Sequence, residues 1–327
     1  MAAAKPVPAG ESAAPAAPPA APPFAGADPE AFRSLVRREG ARLYRDLPWR
    51  NTRDPYAIWL SEVMLQQTQV SRVEKRMPAW LERFPSVEVL AEAPVADVLA
   101  AWQGMGYNRR ALALKAAAEK VVSEHGSLFP QDRAELIALP GIGPATAQGI
   151  RAFAFDLPGV YLETNVRSVF LHHFFPDAVG VPDRELVPLI EATCPDPLGA
   201  GPYARPQDEG DTPRSWYYAL LDYGAHLKQV LPNPSRRSAS HARQSAFEGS
   251  YRQKRSRIVK ELLAAREAAA LDGGSGALSA ADLLDAVNAM ERDAGRPCVD
   301  IAFVEEILGK LAQEGFCRED SEGWAIA

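Results

Sequence analysis

Two glutamates and a pair of glycines are the residues here whose types and spacing could do chemistry. Glu62 lies in Ile58-Trp59-Leu60-Ser61-Glu62-Val63-Met64-Leu65-Gln66-Gln67-Thr68-Gln69-Val70, among large apolar side chains. An acid bordered by Trp59, Met64 and Leu65 has its charged form disfavoured by desolvation, which keeps a carboxyl able to donate a proton near neutral pH. A solvent-facing glutamate, or a buried ion pair with an arginine such as Arg109, would explain the same residue without chemistry. Glu163 precedes the apolar run Val166, Val169, Phe170, where a helix start favours an anion. Thr164 is the better N-cap, so capping does not by itself account for Glu163. An exposed first-turn acid is the plain alternative. Facing each other across a cleft, the two acids could divide labour, one protonating a leaving group and the other stabilising an oxocarbenium-like sugar.

The glycines stand in Leu139-Pro140-Gly141-Ile142-Gly143-Pro144-Ala145-Thr146-Ala147. Glycines flanking one apolar residue let the backbone take positive φ and approach a ligand closely, while the next helix begins with unpaired amides. This reads as the turn of a helix-hairpin-helix, able to hold a DNA phosphate through Gly141 and Gly143 without reading a base. A tight corner that needs glycine only for packing is the competing explanation.

These residues need helices to position them. Periodic apolar spacing predicts helical segments at Pro55–Phe84, Val95–Ala101, Arg110–His125, Arg133–Ala138 and Ala145–Ala154, and the first would place Glu62, Gln66 and Gln69 on one stripe. No strand alternation persists long enough for a sheet in this part. After Leu271-Asp272-Gly273-Gly274-Ser275-Gly276, read as a flexible linker, come amphipathic Ser279–Met290 and Ile301–Glu314 and then a short hairpin. The expected fold is mainly α: a two-lobed helical core over 29–228 with the hairpin at 139–147, a basic loop and helix over 229–270, and a small winged-helix-like module over 271–327. That module could bind DNA or serve as a protein contact. Residues 1–28, with seven prolines by residue 23, are expected to be a disordered Ala/Pro-rich tail.

Composition sets limits. The 327 residues, 47% hydrophobic and 24% charged, can bury a sizeable core, and no run of 18 apolar residues suggests a membrane span. The net charge of −6 argues weakly against nucleic acid, but its distribution is uneven. Lys228, Arg236, Arg237, Arg243, Arg252, Lys254, Arg255 and Arg257 face one acid, Glu248, a block of +7 that could steer a polyanion or be a solvated linker. Cys194, Cys298 and Cys317 are scattered and the five histidines form no ligand pattern, so neither metal, cofactor nor disulfide is expected.

In order along residues 29–228, Leu47-Pro48-Trp49-Arg50, Asp54-Pro55-Tyr56, SEVMLQQTQV (Ser61–Val70), Gln103-Gly104-Met105-Gly106-Tyr107, Leu139–Ala147 and Leu221-Asp222-Tyr223-Gly224-Ala225 resemble the MutY-type adenine DNA glycosylases of the helix-hairpin-helix (endonuclease III) superfamily. The resemblance implies that Glu62 is the catalytic acid, that Gln66, Gln67 and Tyr107 wedge into DNA at a mismatch, and that Glu163, beside Asn165, replaces the family's aspartate. It implies an alkali-labile product without strand cleavage, since Ala145 stands where bifunctional relatives carry a lysine nucleophile. The partner would be double-stranded DNA with a mismatch, the target adenine opposite guanine or 8-oxoguanine, and the enzyme a cytoplasmic, nucleoid-associated monomer. A thymine/uracil mismatch glycosylase or a non-catalytic DNA-binding factor are the alternatives. The chain departs from the family at three points. Glutamate replaces aspartate, Lys228 and Pro232–Ser238 replace the cysteines of the iron–sulfur cluster, and no match to the 8-oxoguanine-recognising C-terminal domain is found. The +7 block, Arg236 and Arg237 included, would take over the cluster loop's contact with DNA.

Overall fold

The computed structural model describes residues 28–196, 211–241 and 245–327, so the Ala/Pro-rich tail and Arg243 lie outside the described residues. The order of elements is α1 (Pro29–Leu43), α2 (Pro55–Leu65), α3 (Val70–Arg83), α4 (Val87–Glu92), α5 (Val95–Ala101), α6 (Arg109–His125), α7 (Arg133–Ala138), α8 (Pro144–Phe155), α9 (Thr164–Phe174), α10 (Asp183–Thr193), α11 (Pro213–Val230), α12 (Tyr251–Asp272), α13 (Ala280–Asp293), α14 (Ile301–Gln313), β1 (Cys317–Asp320) and β2 (Gly323–Ile326). The fold is mainly helical, as the spacing predicts, and the helical segments at 95–101 and 133–138 coincide with α5 and α7.

Apolar burial divides the helices into two lobes. In one, Trp59, Leu60, Met64, Trp80, Trp102 and Leu114 gather from α2 through α6. In the other, Val36, Phe170, Leu189, Trp216, Tyr217 and Leu220 join α1 to α9, α10 and α11. Helix α8 belongs to both, with Ala147 and Ile150 in the first lobe and Ala152 and Phe153 in the second. A buried ion pair ties the lobes: Arg50 Nη1 and Nη2 donate to Asp222 at 2.7 and 2.9 Å, and Arg45 adds a bond at 2.6 Å. The first and last motifs of the resemblance thus meet as a bidentate pair, whose planar fork fixes the angle between α11 and the chain before α2.

The single helix expected to carry Glu62 through Gln69 is broken. Helix α2 ends at Leu65 and α3 begins at Val70, with Gln67 at φ +54° between them. The reason is Arg110, whose guanidinium takes the carbonyls of Val63, Met64 and Gln66 at 2.7–3.2 Å and those of Met105 and Gly106 at 2.9 Å. A half-buried cation that satisfies the last carbonyls of α2 ends the helix there, and Glu62, Gln66 and Gln69 do not share a helical stripe.

The C-terminal part is also more closely joined than a linker would allow. Asp272 ends α12, Gly273 caps it at φ +75°, and a side chain at Gly276 would press on Arg266. Residues 271–276 therefore run from the end of α12 into a loop folded back against that helix. Leu278 bridges Trp324, so the order is helix, bridge, two helices and an antiparallel hairpin. Ile258, Leu262, Val287, Ile307 and Phe316 share one apolar cluster with the first lobe, and α12 packs on this module.

Candidate active site

Glu62 sits on the last complete turn of α2, a helix begun by Asp54, which accepts from the amides of Tyr56 and Ala57 ahead of Pro55 at its first position. Its carboxyl lies against α8 where that helix has no side chain. A Cβ at Gly149 would stand 2.2 Å from Glu62 Oε2. Tyr161 donates its hydroxyl to the same oxygen at 2.9 Å. Desolvation pushes the Glu62 carboxyl up to about 8, with the nearby Glu163 charge adding to the shift and the Tyr161 bond opposing it. Glu62 keeps some exposure, so the acid is both desolvated and reachable.

Glu163 itself caps α9, contrary to the assignment of Thr164. Its backbone is extended, and Oε1 accepts from the amides of Asn165 at 2.5 Å and Val166 at 2.8 Å. The longer side chain folds back to reach both donors, an arrangement the general preference for Thr does not anticipate. Oε2 has only a long bond from Asn165 Nδ2, at 3.4 Å. Burial raises the Glu163 carboxyl, while the Val166 and Asn165 amides and the charges of Lys228 and Arg167 pull it back. Asn165 Oδ1 is buried without a partner among the described residues. Helix α11 comes close to this helix start because Gly224 has no side chain; a Cβ there would lie 2.1 Å from the Asn165 carbonyl oxygen.

The two acids come from opposite lobes yet act on one another electrostatically, and both raise Tyr161 as well. Four groups hold the Glu163 anion and one holds Glu62. Amides and cations around Glu163, with desolvation at Glu62, make an arrangement able to donate a proton from one side and offer negative charge from the other.

Around this centre the remaining sequence candidates divide. Gly141, at φ +74°, and Gly143 are both exposed, while Ile142 between them is buried; Gly143 caps α8 with no side-chain bond. Gly141 also packs, since a Cβ would come 2.7 Å from that of Ala113, whereas one at Gly143 would meet nothing within 4 Å. Gln66 is held to the same helix, its Nε2 3.1 Å from Thr146 Oγ1. Gln67 and Tyr107, both left-handed, line one polar hollow of about 650 Å³ with Thr164, Arg167, Ser240 and Arg252. A second hollow of about 930 Å³ is bordered by Arg50, Arg214 and Trp216, and its wall residue Tyr218 senses the Glu62 charge.

The basic block is smaller than its count. Lys254 pairs with Glu291 at 3.3 Å, Arg255 with Glu314 at 2.7 Å and Arg257 with Glu261 at 2.8 Å. Arg237 donates to the Pro176 carbonyl, and Arg236 alone of the two is fully exposed. Arg109 pairs with Glu314 rather than Glu62. Sequence reasoning assigned no part to Tyr161, Gly149 or Arg110. Tyr161 stands two residues before Glu163, but its bond to Glu62, like the places of the other two, depends on helix packing.

Residues 60–188 match the HhH-GPD superfamily of base excision DNA repair proteins. The chain is also similar to adenine DNA glycosylases. It is 45% identical to that of Mycolicibacterium smegmatis over 126 residues, which is 38% of this chain and 43% of the relative. It is 40% identical to that of Mus musculus over 152 residues, 44% of this chain and 30% of the relative. The match thus spans less than half the length of these curated relatives. Its fold is similar to that of a thermostable thymine-DNA glycosylase, with a TM-score of 0.50 and 24% identity over 60% of this chain and 86% of that one.

Proposed function

We propose that this chain is a monofunctional DNA glycosylase that hydrolyses the N-glycosidic bond of an extruded base, adenine opposite guanine or 8-oxoguanine being the substrate. The observation that carries this reading is the convergence of Glu62 and Glu163, from opposite lobes, on the surroundings of Tyr161. The similarity to adenine DNA glycosylases supports the choice of base.

In this reading exposed backbone at Gly141 and Gly143 holds a strand phosphate. Gln67 and Tyr107 fill the space left by the extruded nucleotide, offsetting an unstacking cost of a few kcal/mol; Gln66 supports the turn from α8. Protonated Glu62 gives its proton to the leaving purine while Tyr161 keeps the carboxyl oriented. The C1′–N bond breaks, the electron pair leaves with the base, and Glu163 Oε2 faces the developing sugar cation, its other oxygen being held by two amides. Asn165 positions that carboxylate, and water adds to give an abasic site. Ala145 has no amine for a covalent intermediate, so strand cleavage is not part of the reaction. An iron–sulfur cluster does not fit at 228–238, because that segment has no thiol and Lys228 faces Glu163 instead.

The deciding experiment is a panel of duplexes with single mismatches or lesions, scored for released base and alkali-labile sites. Adenine release opposite guanine or 8-oxoguanine is the expected outcome. Release of thymine or uracil alone would overturn the choice of base, and a mobility shift with no product would make the chain a binding factor.

A further inference from the structure

We propose that α12 and the C-terminal module packed on it brace the loop carrying Tyr107, with Arg252 on α12 as a positioning residue that acts through Tyr107 rather than on DNA. This rests on the reading above, in which Tyr107 enters the duplex. Arg252 Nη1 donates to the Tyr107 hydroxyl at 2.6 Å, and Nη2 is held by the Ser245 carbonyl at 2.8 Å. The guanidinium lies 5.4 Å from the centre of the Tyr107 ring, and that of Arg110 lies 5.6 Å from it. Two residues on, Arg109 donates to Glu314 at 2.5 and 2.7 Å, and Glu314 accepts from Arg255 as well. The loop is thereby fastened by one cation from α12, one acid that ends α14 and one half-buried arginine of the helix that follows it.

Such fastening has a purpose at this position. Tyr107 is a non-glycine residue at φ +50°, a conformation that persists only when its surroundings over-determine it, and it is still partly exposed. A side chain that must displace a base pair works best when its posture is set before contact. The module's charge fits an indirect part. Between 271 and 327 there are twelve acids and four bases, and Glu305, Glu306, Glu319, Asp320 and Glu322 are exposed on α14 and the hairpin. A surface of that sign repels phosphate. Sequence reasoning left this module between DNA-binding and contact roles; its charge, its bond from Glu314 to Arg109 and its packing on α12, which carries Arg252, favour the second.

The test is a double-mutant cycle between Arg252→Met and Tyr107→Phe, read by single-turnover base release and by the fluorescence of 2-aminopurine at the target position. Arg257→Met is the control for loss of a cation from α12. Arg252→Met is expected to slow base release and reduce extrusion about tenfold, the effect of one charge-assisted hydrogen bond. Its duplex affinity should equal that of the control, its effect should largely vanish in the Tyr107→Phe background, and Arg252→Lys should restore part of the rate. Equal effects in both backgrounds, with a salt dependence flattened by about one, would make Arg252 a plain phosphate contact and overturn the proposal. Absence of any base release from the unmodified protein would defeat the glycosylase reading instead, while the fluorescence cycle would still decide the brace.

Discussion

Glu62 is expected to titrate as an acid poised just above neutrality. Base release under single turnover should hold level up to about pH 8, where the carboxyl keeps its proton, and fall up to tenfold per unit above it. The acid limb, set by Glu163, should lie above the ordinary carboxylate range because burial raises that group too. The same shift bears on stability. The unfolded chain loses the Glu62 proton in the ordinary range while the folded protein retains it to about 8. Stability is thus lost progressively as pH rises between those limits, and the deficit is constant above them. Glu62→Gln, which cannot ionise, should therefore be more stable than the parent by a few kcal/mol at pH 9, roughly, and little different at pH 4, in urea unfolding. It should still bind mismatched duplex and release no base. Gly149→Ala tests the same acid from the other side. A methyl group 2.2 Å from Oε2 must displace the carboxyl, and a rate loss of about 100-fold is expected with binding intact.

At the scale of elements, Arg110 is the residue to remove. Arg110→Met would take one donor from the carbonyls of Val63, Gln66, Met105 and Gly106, leaving Val63, Gln66 and Gly106 only the Gln66 amide, the Thr68 hydroxyl and Trp102 Nε1, and a loss of about 2–4 kcal/mol is expected in urea unfolding. The sequence gives a fair account of elements and a poorer one of their ends. Spacing alone places α5 and α7 because each is a short, self-contained amphipathic turn set off by proline or an acidic cap. It misses the break after Leu65, since the cause lies 45 positions away in Arg110. It also misreads the start of α9, where burial lets a glutamate do what propensity assigns to threonine. The acids themselves were legible from their apolar neighbours and their place before a helix. That they share Tyr161, and that glycines at 149 and 224 make room for them, depends on how helices cross and has no local signature.

Across the whole molecule, charge predicts how DNA is approached. Pairing of α12 cations with acids of α12, α13 and the end of α14 neutralises much of the basic block, and Arg236 is exposed while Arg237 is held by the Pro176 carbonyl. Arg236→Gln should flatten the salt dependence of duplex binding by about one, and Arg237→Gln by less; equal slopes for both would contradict this division. Helix α8 gives the molecule a further property. It begins at the glycine turn, passes Gly149 beneath the Glu62 carboxyl and ends in the core of the other lobe. Six residues separate Gly143 from Gly149, a rise of about 9 Å. In the proposed reaction one stiff rod therefore serves as a gauge between the grip on the strand and the proton donor, and inserting a single residue would rotate the bare position by about 100° and set a side chain against the acid.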